Sequence, residues 1–404
     1  MTREDGWLVA LWLLISALIG GLSYVNPTHF LSPDSAYYLS FAGWLVGLDG
    51  DQYGHVTSGW EGTFPVGYPL LIGTLAKASG TSLLVASKLL NSLSTGVFLL
   101  IWRNRVGARR AIWVGSVCLL GGFLRLLAYT WSEWVFVVLL LEWLWSVSRP
   151  VTAGAGSSDH YRFVARLFLL TSGLFLLRYV GGYVVLAYGL QALGTYRHID
   201  KIDREKRFGA DLLYAAASIT FMLGYFYLNY RLTHSPYGGE RFVNTTETIG
   251  EKVALITLAV INEGLLVRDF IPGESVILVL LGAVLQGLLI GWIWPRLNQQ
   301  RDTLPNWSPT DRQLLRTYLV SAGTYLALLF ALRLFSPYSG PNARLMAPAS
   351  FPFLVILTSW ISCWHNVVAR RQLGYWWTVL LLCSWLQLLP QADLWQKFTQ
   401  VWAR

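Results

Sequence analysis

Residues 276–294 read VILVLLGAVLQGLLIGWIW, a membrane-length run whose strongest polar side chain is Gln286. Runs of the same kind lie at Ala111–Leu127 and Trp134–Val147. In hydrocarbon every backbone N–H and C=O must find its partner within the protein, which leaves only helices and closed barrels. Barrel strands alternate apolar and polar residues, and these runs do not alternate. They are helices. The rest of the chain agrees, with 54% hydrophobic and 13% charged residues and a mean hydropathy of +0.46. A soluble domain carries about twice that share of charge.

A span needs roughly 20 apolar residues. On that length the sequence predicts an all-α, polytopic transmembrane bundle of about 11 spans, near 7–25, 82–102, 111–128, 131–147, 163–177, 178–194, 210–229, 275–294, 315–335, 345–364 and 375–390. Arg178 interrupts an otherwise continuous run, so the fifth and sixth spans are expected to be short, broken or re-entrant.

Lysine and arginine set the orientation. With residue 1 inside, the short inner loops collect Arg103, Arg105, Arg109 and Arg110, then Arg197, Lys201, Arg204, Lys206 and Arg207, and finally Arg370 and Arg371. The chain then reads as one integral-membrane domain over 1–404: a first span (1–25), an outer loop (26–63), a block of spans (64–229), a second outer loop (230–274) and the C-terminal spans (275–404). No soluble domain is expected at either end, and the first run reads as an uncleaved span because no small-residue cleavage site follows it. The net charge of +9 is spread over short loops, which excludes a nucleic-acid stripe. Cys118, Cys363, Cys383 and the six histidines lack metal-ligand spacing, so no metal site is expected.

The most informative polar stretch is 32–71, SPDSAYYLSFAGWLVGLDGDQYGHVTSGWEGTFPVGYPLL. A polar loop of this length between spans is uncommon and usually functional. Apolar residues at Ala36, Leu39, Phe41, Ala42 and Leu45 predict a short helix over 34–46 lying along the membrane interface. Asp34 suits the cap of that helix. It also suits a general base, being a carboxylate at the membrane boundary beside Tyr37 and Tyr38. Asp51 and Glu61 share the loop. Pro65 and Pro69 are expected to shape a cavity floor with Tyr68 between them.

Arginines within or at the ends of spans are the second signal, because such charges line a cavity or find a partner. Arg125 is expected to snorkel or pair with Glu133. Arg178 and Arg344 suit a phosphate site, since the guanidinium fork binds phosphate oxygens bidentately. Arg333 and Tyr338 are lesser candidates, and Tyr37, Glu61 and Tyr68 complete the binding set. Gly181-Gly182 reads as a close-packing step.

In order along the chain, Asp34-Ser35-Ala36-Tyr37-Tyr38, Phe64-Pro65-Val66-Gly67-Tyr68-Pro69-Leu70, Arg178-Tyr179-Val180-Gly181 and Arg344-Leu345-Met346-Ala347-Pro348 resemble the GT-C superfamily of integral-membrane glycosyltransferases. The branch they resemble most contains protein O-mannosyltransferases and the aminoarabinose transferases acting on lipid A. Many members carry Asp-Glu where this chain has Asp34-Ser35, so any second acid falls to Asp51 or Glu61. The resemblance implies a GT-C-like bundle with a cavity facing outward and a polyprenyl-phosphate-linked sugar donor. The expected reaction is inverting transfer of that sugar to a lipid, glycan or protein acceptor on the outer face of a bacterial inner membrane. No cofactor is expected to be required, with a divalent cation left open. Two rivals are a flippase of lipid-linked sugars, against which the lack of internal repeats counts, and an outer-face polysaccharide polymerase or ligase.

Overall fold

The computed structural model describes residues 2–149, 157–196, 201–237, 247–264, 276–298, 307–335, 342–364 and 367–388. Among these the regular structure is helical throughout. In chain order the helices are α1 (Arg3–Val25), α2 (Pro33–Val46), α3 (Gly67–Ser79), α4 (Leu83–Val106), α5 (Ala108–Ser116), α6 (Gly121–Ala128), α7 (Glu133–Val147) and α8 (Ser157–Leu177). They continue as α9 (Tyr183–Tyr196), α10 (Lys201–Thr233), α11 (Ile249–Glu263), α12 (Val276–Asn298), α13 (Pro309–Phe335), α14 (Ala343–Ile361) and α15 (Val367–Ser384).

Every run expected to be a span carries a helix, but the count of about 11 is not confirmed. By length and composition 6 of the described helices can cross a membrane, or 7 if α5 and α6, bent by 75°, form one broken span. Hydropathy alone cannot distinguish a helix that faces lipid from one buried in protein, and α7 shows the difference. It has 15 residues, and its flanks from Trp134 to Val147 are buried nearly all round, as a helix apolar on every face must be. α4, α8, α13 and α14 surround it. Trp134 meets Phe351 of α14 edge-on at 5.1 Å and Phe98 of α4 at 6.1 Å. Aromatic pairs in this geometry add to their area burial, and they lock α7, α4 and α14 together at the bundle's centre.

The short helix expected over 34–46 is α2, starting one residue earlier at Pro33. It lies against α3, a helix the sequence did not reveal because its apolar run is too short to register as a span. The chain also breaks where Arg178 was expected to break it. α8 ends at Leu177, a single 3-10 turn spans Tyr179–Gly182, and α9 starts at Tyr183. Gly181 is required there, since a Cβ would fall 2.4 Å from the Leu174 carbonyl oxygen. Gly67, at the start of α3, is held as closely, with a Cβ 2.6 Å from the Leu176 carbonyl oxygen. The first folds the break tightly onto the end of α8, and the second brings that end against the aromatic segment that follows the first loop.

Candidate functional site

The site is built where α1 ends and α2, α4, α7 and α14 begin. At the start of α2 the cap is Ser32 rather than Asp34. Ser32 and Ser35 form a reciprocal capping box, and Pro33 occupies the first helical position, where its missing N–H costs nothing. Ser35 also donates to the Thr130 carbonyl (3.0 Å), and the Trp131 indole N–H donates to Ser32 Oγ (2.7 Å). The first turn of α2 is thereby tied to the segment between α6 and α7. That segment is held from α4 in turn, where Lys88 Nζ donates to the Ala128 carbonyl (2.5 Å) and Thr130 Oγ1 (3.0 Å). With the cap supplied by serine, the Asp34 carboxylate is released from backbone duty.

That carboxylate meets Arg344, whose Nη1 donates to Asp34 Oδ2 at 2.5 Å. Arg344 sits in the first turn of α14, behind the Asn342 cap, with its guanidinium over the Trp131 ring at 4.6 Å. Its Nε donates to Glu133 Oε1, and Arg178 Nη1 pairs with the same oxygen. Glu133, the first residue of α7, is wholly buried, whereas the Asp34 side chain is 36% exposed. The result is a chain of four charges, Asp34–Arg344–Glu133–Arg178, balanced two against two. Buried charges survive only when paired in this way, and here residues 310 positions apart are brought into contact.

Tyrosines floor the cluster. Tyr38 OH lies 3.2 Å from Ser132 Oγ, and Tyr68 packs edge-on against Tyr38 at 5.1 Å. Burial first, and then for Tyr38 the Glu133 charge, raise both hydroxyls above the ordinary phenol range, so they stay neutral donors. Tyr37, one turn beyond Asp34, packs against His55 with ring centroids 3.8 Å apart and planes tilted by 35°, and His55 Nε2 lies 3.1 Å from Glu61 Oε1. Glu61 therefore stands beside Tyr37 but is engaged with His55.

The remaining expectations divide. Arg125 does not pair with Glu133, whose oxygen is taken by Arg178 and Arg344; its guanidinium lies over the Tyr129 ring at 5.9 Å. Arg333 is fully buried and paired with Glu247, outside the four-charge chain. Asp51 opens a single 3-10 turn; its side chain, like all of Tyr338, lies outside the described residues. Among the described residues no group of three or more His, Cys, Asp or Glu is placed to hold a metal ion.

Glu133 is the residue that sequence reasoning passed over. Its signal is a carboxylate opening a strongly apolar helix, but Arg125, only eight positions away, is its obvious partner in sequence. The acid that joins Asp34 at the cluster comes from a different span and not from the first loop.

Solved structures that share this architecture include two of ArnT. ArnT from Cupriavidus metallidurans in the apo state superposes with a TM-score of 0.53 at 14% identity, covering 93% of this chain and 62% of that one. ArnT from Cupriavidus metallidurans bound to undecaprenyl phosphate gives 0.53 at 13% identity, covering 92% and 63%. The likeness is one of fold alone, and it agrees with the all-helical bundle expected from the sequence. This chain spans less than two thirds of the length of those proteins. No family model matches the sequence, and no curated protein matches it significantly.

Proposed function

We propose that this chain is a membrane glycosyltransferase that moves one sugar from a polyprenyl-phosphate carrier to an acceptor on the outer face, with inversion. The observation that carries this reading is the Asp34–Arg344–Glu133–Arg178 cluster. It places an accessible carboxylate in contact with a guanidinium at one end of a membrane bundle. The fold shared with ArnT, one of whose structures holds undecaprenyl phosphate, supports a lipid-borne donor.

In this mechanism Asp34 is the general base. Arg344, in contact with its Oδ2, positions it. The acceptor hydroxyl gives its proton to Asp34 Oδ as its oxygen bonds to the anomeric carbon. The bond from that carbon to the phosphate oxygen breaks, and the electron pair leaves on the carrier phosphate. A single displacement inverts the anomeric centre. Arg344, with Arg178 behind it, stabilises the charge that grows on the phosphate; preorganised donors of this kind supply much of the rate enhancement in such reactions. Glu133 holds both guanidiniums in place, and Tyr37 with the His55–Glu61 pair borders the acceptor side. Arg333 and Tyr338 keep no assigned role in this scheme.

The test is turnover. Purified protein is mixed with radiolabelled polyprenyl-phosphate sugars and candidate acceptors, and release of free polyprenyl phosphate is followed. Release that depends on Asp34 supports the transferase. Movement of intact lipid-linked sugar across vesicles, without cleavage, would move the assignment to the flippase.

A further inference from the structure

Arg344 also lines a small cavity of about 120 Å³ together with Arg125, Trp131, Asn262, Asn342 and Gln387. No carboxylate is among the residues that line it. Asn342, Ala343 and Arg344 are the cap and first turn of α14, a helix of 19 residues, so the positive end of the helix dipole opens onto the same space. Asn342 uses its side-chain oxygen to accept the Leu345 N–H (3.1 Å), which leaves its NH2 as a donor. Pockets that engulf drug-sized ligands run to roughly 300–1,000 Å³. This one has room for a headgroup.

Charge balance then separates the arginines. Arg344 and Arg178 are neutralised by Asp34 and Glu133, so an anion arriving beside them meets a cluster of zero net charge. Arg125 has the Tyr129 ring beside it and no carboxylate partner among the described residues. We propose that this cavity is a subsite for a phosphoryl group and that Arg125 supplies its uncompensated positive charge, with Arg344 shared between the anion and Asp34. The inference deepens the lipid-donor reading and rests on it for the larger ligand. The same chemistry admits two sources, the phosphate of the polyprenyl carrier or a phosphate on the acceptor.

The experiment compares full-length wild type, Arg125→Gln, Arg125→Lys and, as a matched loss of charge, Arg109→Gln, an exposed residue of α5. Binding of undecaprenyl phosphate and, separately, of inorganic phosphate is measured in nanodiscs, with thermal midpoints checking that each variant is folded. Losing one charge-assisted hydrogen bond to a phosphate weakens binding by about tenfold to a hundredfold. We expect that loss in Arg125→Gln, a smaller one in Arg125→Lys and none in Arg109→Gln. Loss for both probes assigns the subsite to the carrier. Loss for inorganic phosphate alone assigns it to an acceptor phosphate. A folded Arg125→Gln that binds both probes as wild type does overturns the subsite and leaves the transferase reading standing. Wild type that binds inorganic phosphate through Arg125 but ignores undecaprenyl phosphate keeps the subsite and overturns the donor.

Discussion

Helix α7 carries two glutamates, and they meet arginine in opposite ways. Glu133, at its first residue, gives one oxygen to two arginines from distant spans, is wholly buried, and joins a chain that ends in the exposed carboxylate of Asp34. Glu142 lies nine residues on, about 13 Å along the axis. There it takes both arms of Arg105 in a bidentate pair at 2.7 and 2.6 Å, with Arg166 at 3.9 Å. Trp145 covers that cluster, with Arg105 and Arg149 over its ring at 4.6 and 4.0 Å. The Glu142 group satisfies itself, because both oxygens are used and the surplus cations rest on an aromatic face. The Glu133 group does not. Its Oε2 is buried with no hydrogen-bond partner among the described residues, and its Arg344 reaches on to Asp34 and to a cavity. An ion pair that closes on itself holds helices together, whereas one with groups left over can bind something.

The largest expected contrast between the two ends is all-or-none. In a background lacking Cys118, Cys363 and Cys383, a cysteine replacing Ser58 is labelled by an impermeant reagent from outside, and one replacing Arg109 only after the inner face is opened. Reversal of the two patterns would sink the orientation and the outer-face site together.

Next in size is the base. Asp34→Asn keeps the shape but cannot take a proton, so turnover should fall by at least ~10²-fold, while the protein still folds because Glu133 continues to hold Arg344. Glu142→Gln should do the reverse, sparing turnover per folded molecule. Equal losses of activity in the two variants would erase the distinction drawn between the clusters.

Stability ranks the glutamates themselves. Glu133→Gln strands two buried guanidiniums and should cost about 3–5 kcal/mol. Glu142→Gln loses charge-assisted bonds in a partly exposed setting and should cost about 1–3 kcal/mol. Chemical denaturation in detergent reads both, and a Glu142 variant less stable than the Glu133 variant would contradict the burial argument.

The smallest effect is the sharpest test of geometry. Arg344→Lys keeps the charge but loses the fork that spans Asp34 and Glu133. Donor affinity should weaken by several-fold to about tenfold, less than the loss of a whole charge-assisted hydrogen bond, because the ammonium keeps its charge and part of the contact. Arg105→Lys, at the other end, should leave donor affinity unchanged. Direct binding of polyprenyl phosphate to both variants decides it.

The sequence by itself determined the material of this protein. Apolar runs too long and too uniform for strands had to be helices in hydrocarbon. The amphipathic stretch after Asp34 had to be a short separate helix, and Arg178 had to fall at a break, since a lone charge and two glycines interrupt the apolar pattern there. The ordered motifs around Asp34, Tyr68, Arg178 and Arg344 carried the resemblance to the fold. All of these are local properties, set by composition and backbone geometry within one turn or one span.

Tertiary structure alone decided the rest, because it depends on which helices meet. Whether an apolar run faces lipid or protein is invisible in its composition, so α7 reads like any other apolar run although protein covers it on nearly every side. Asp34 and Ser32 are equally good caps on paper. Ser32 takes the task because Thr130 and Trp131 hold the serines of that turn in place, and that choice leaves Asp34 available to Arg344. Glu133 had an arginine eight residues away as its obvious partner, yet it pairs with two that lie 45 and 211 positions along the chain. In a low-dielectric interior a charge takes the partners that packing places against it, and sequence distance has no part in that selection.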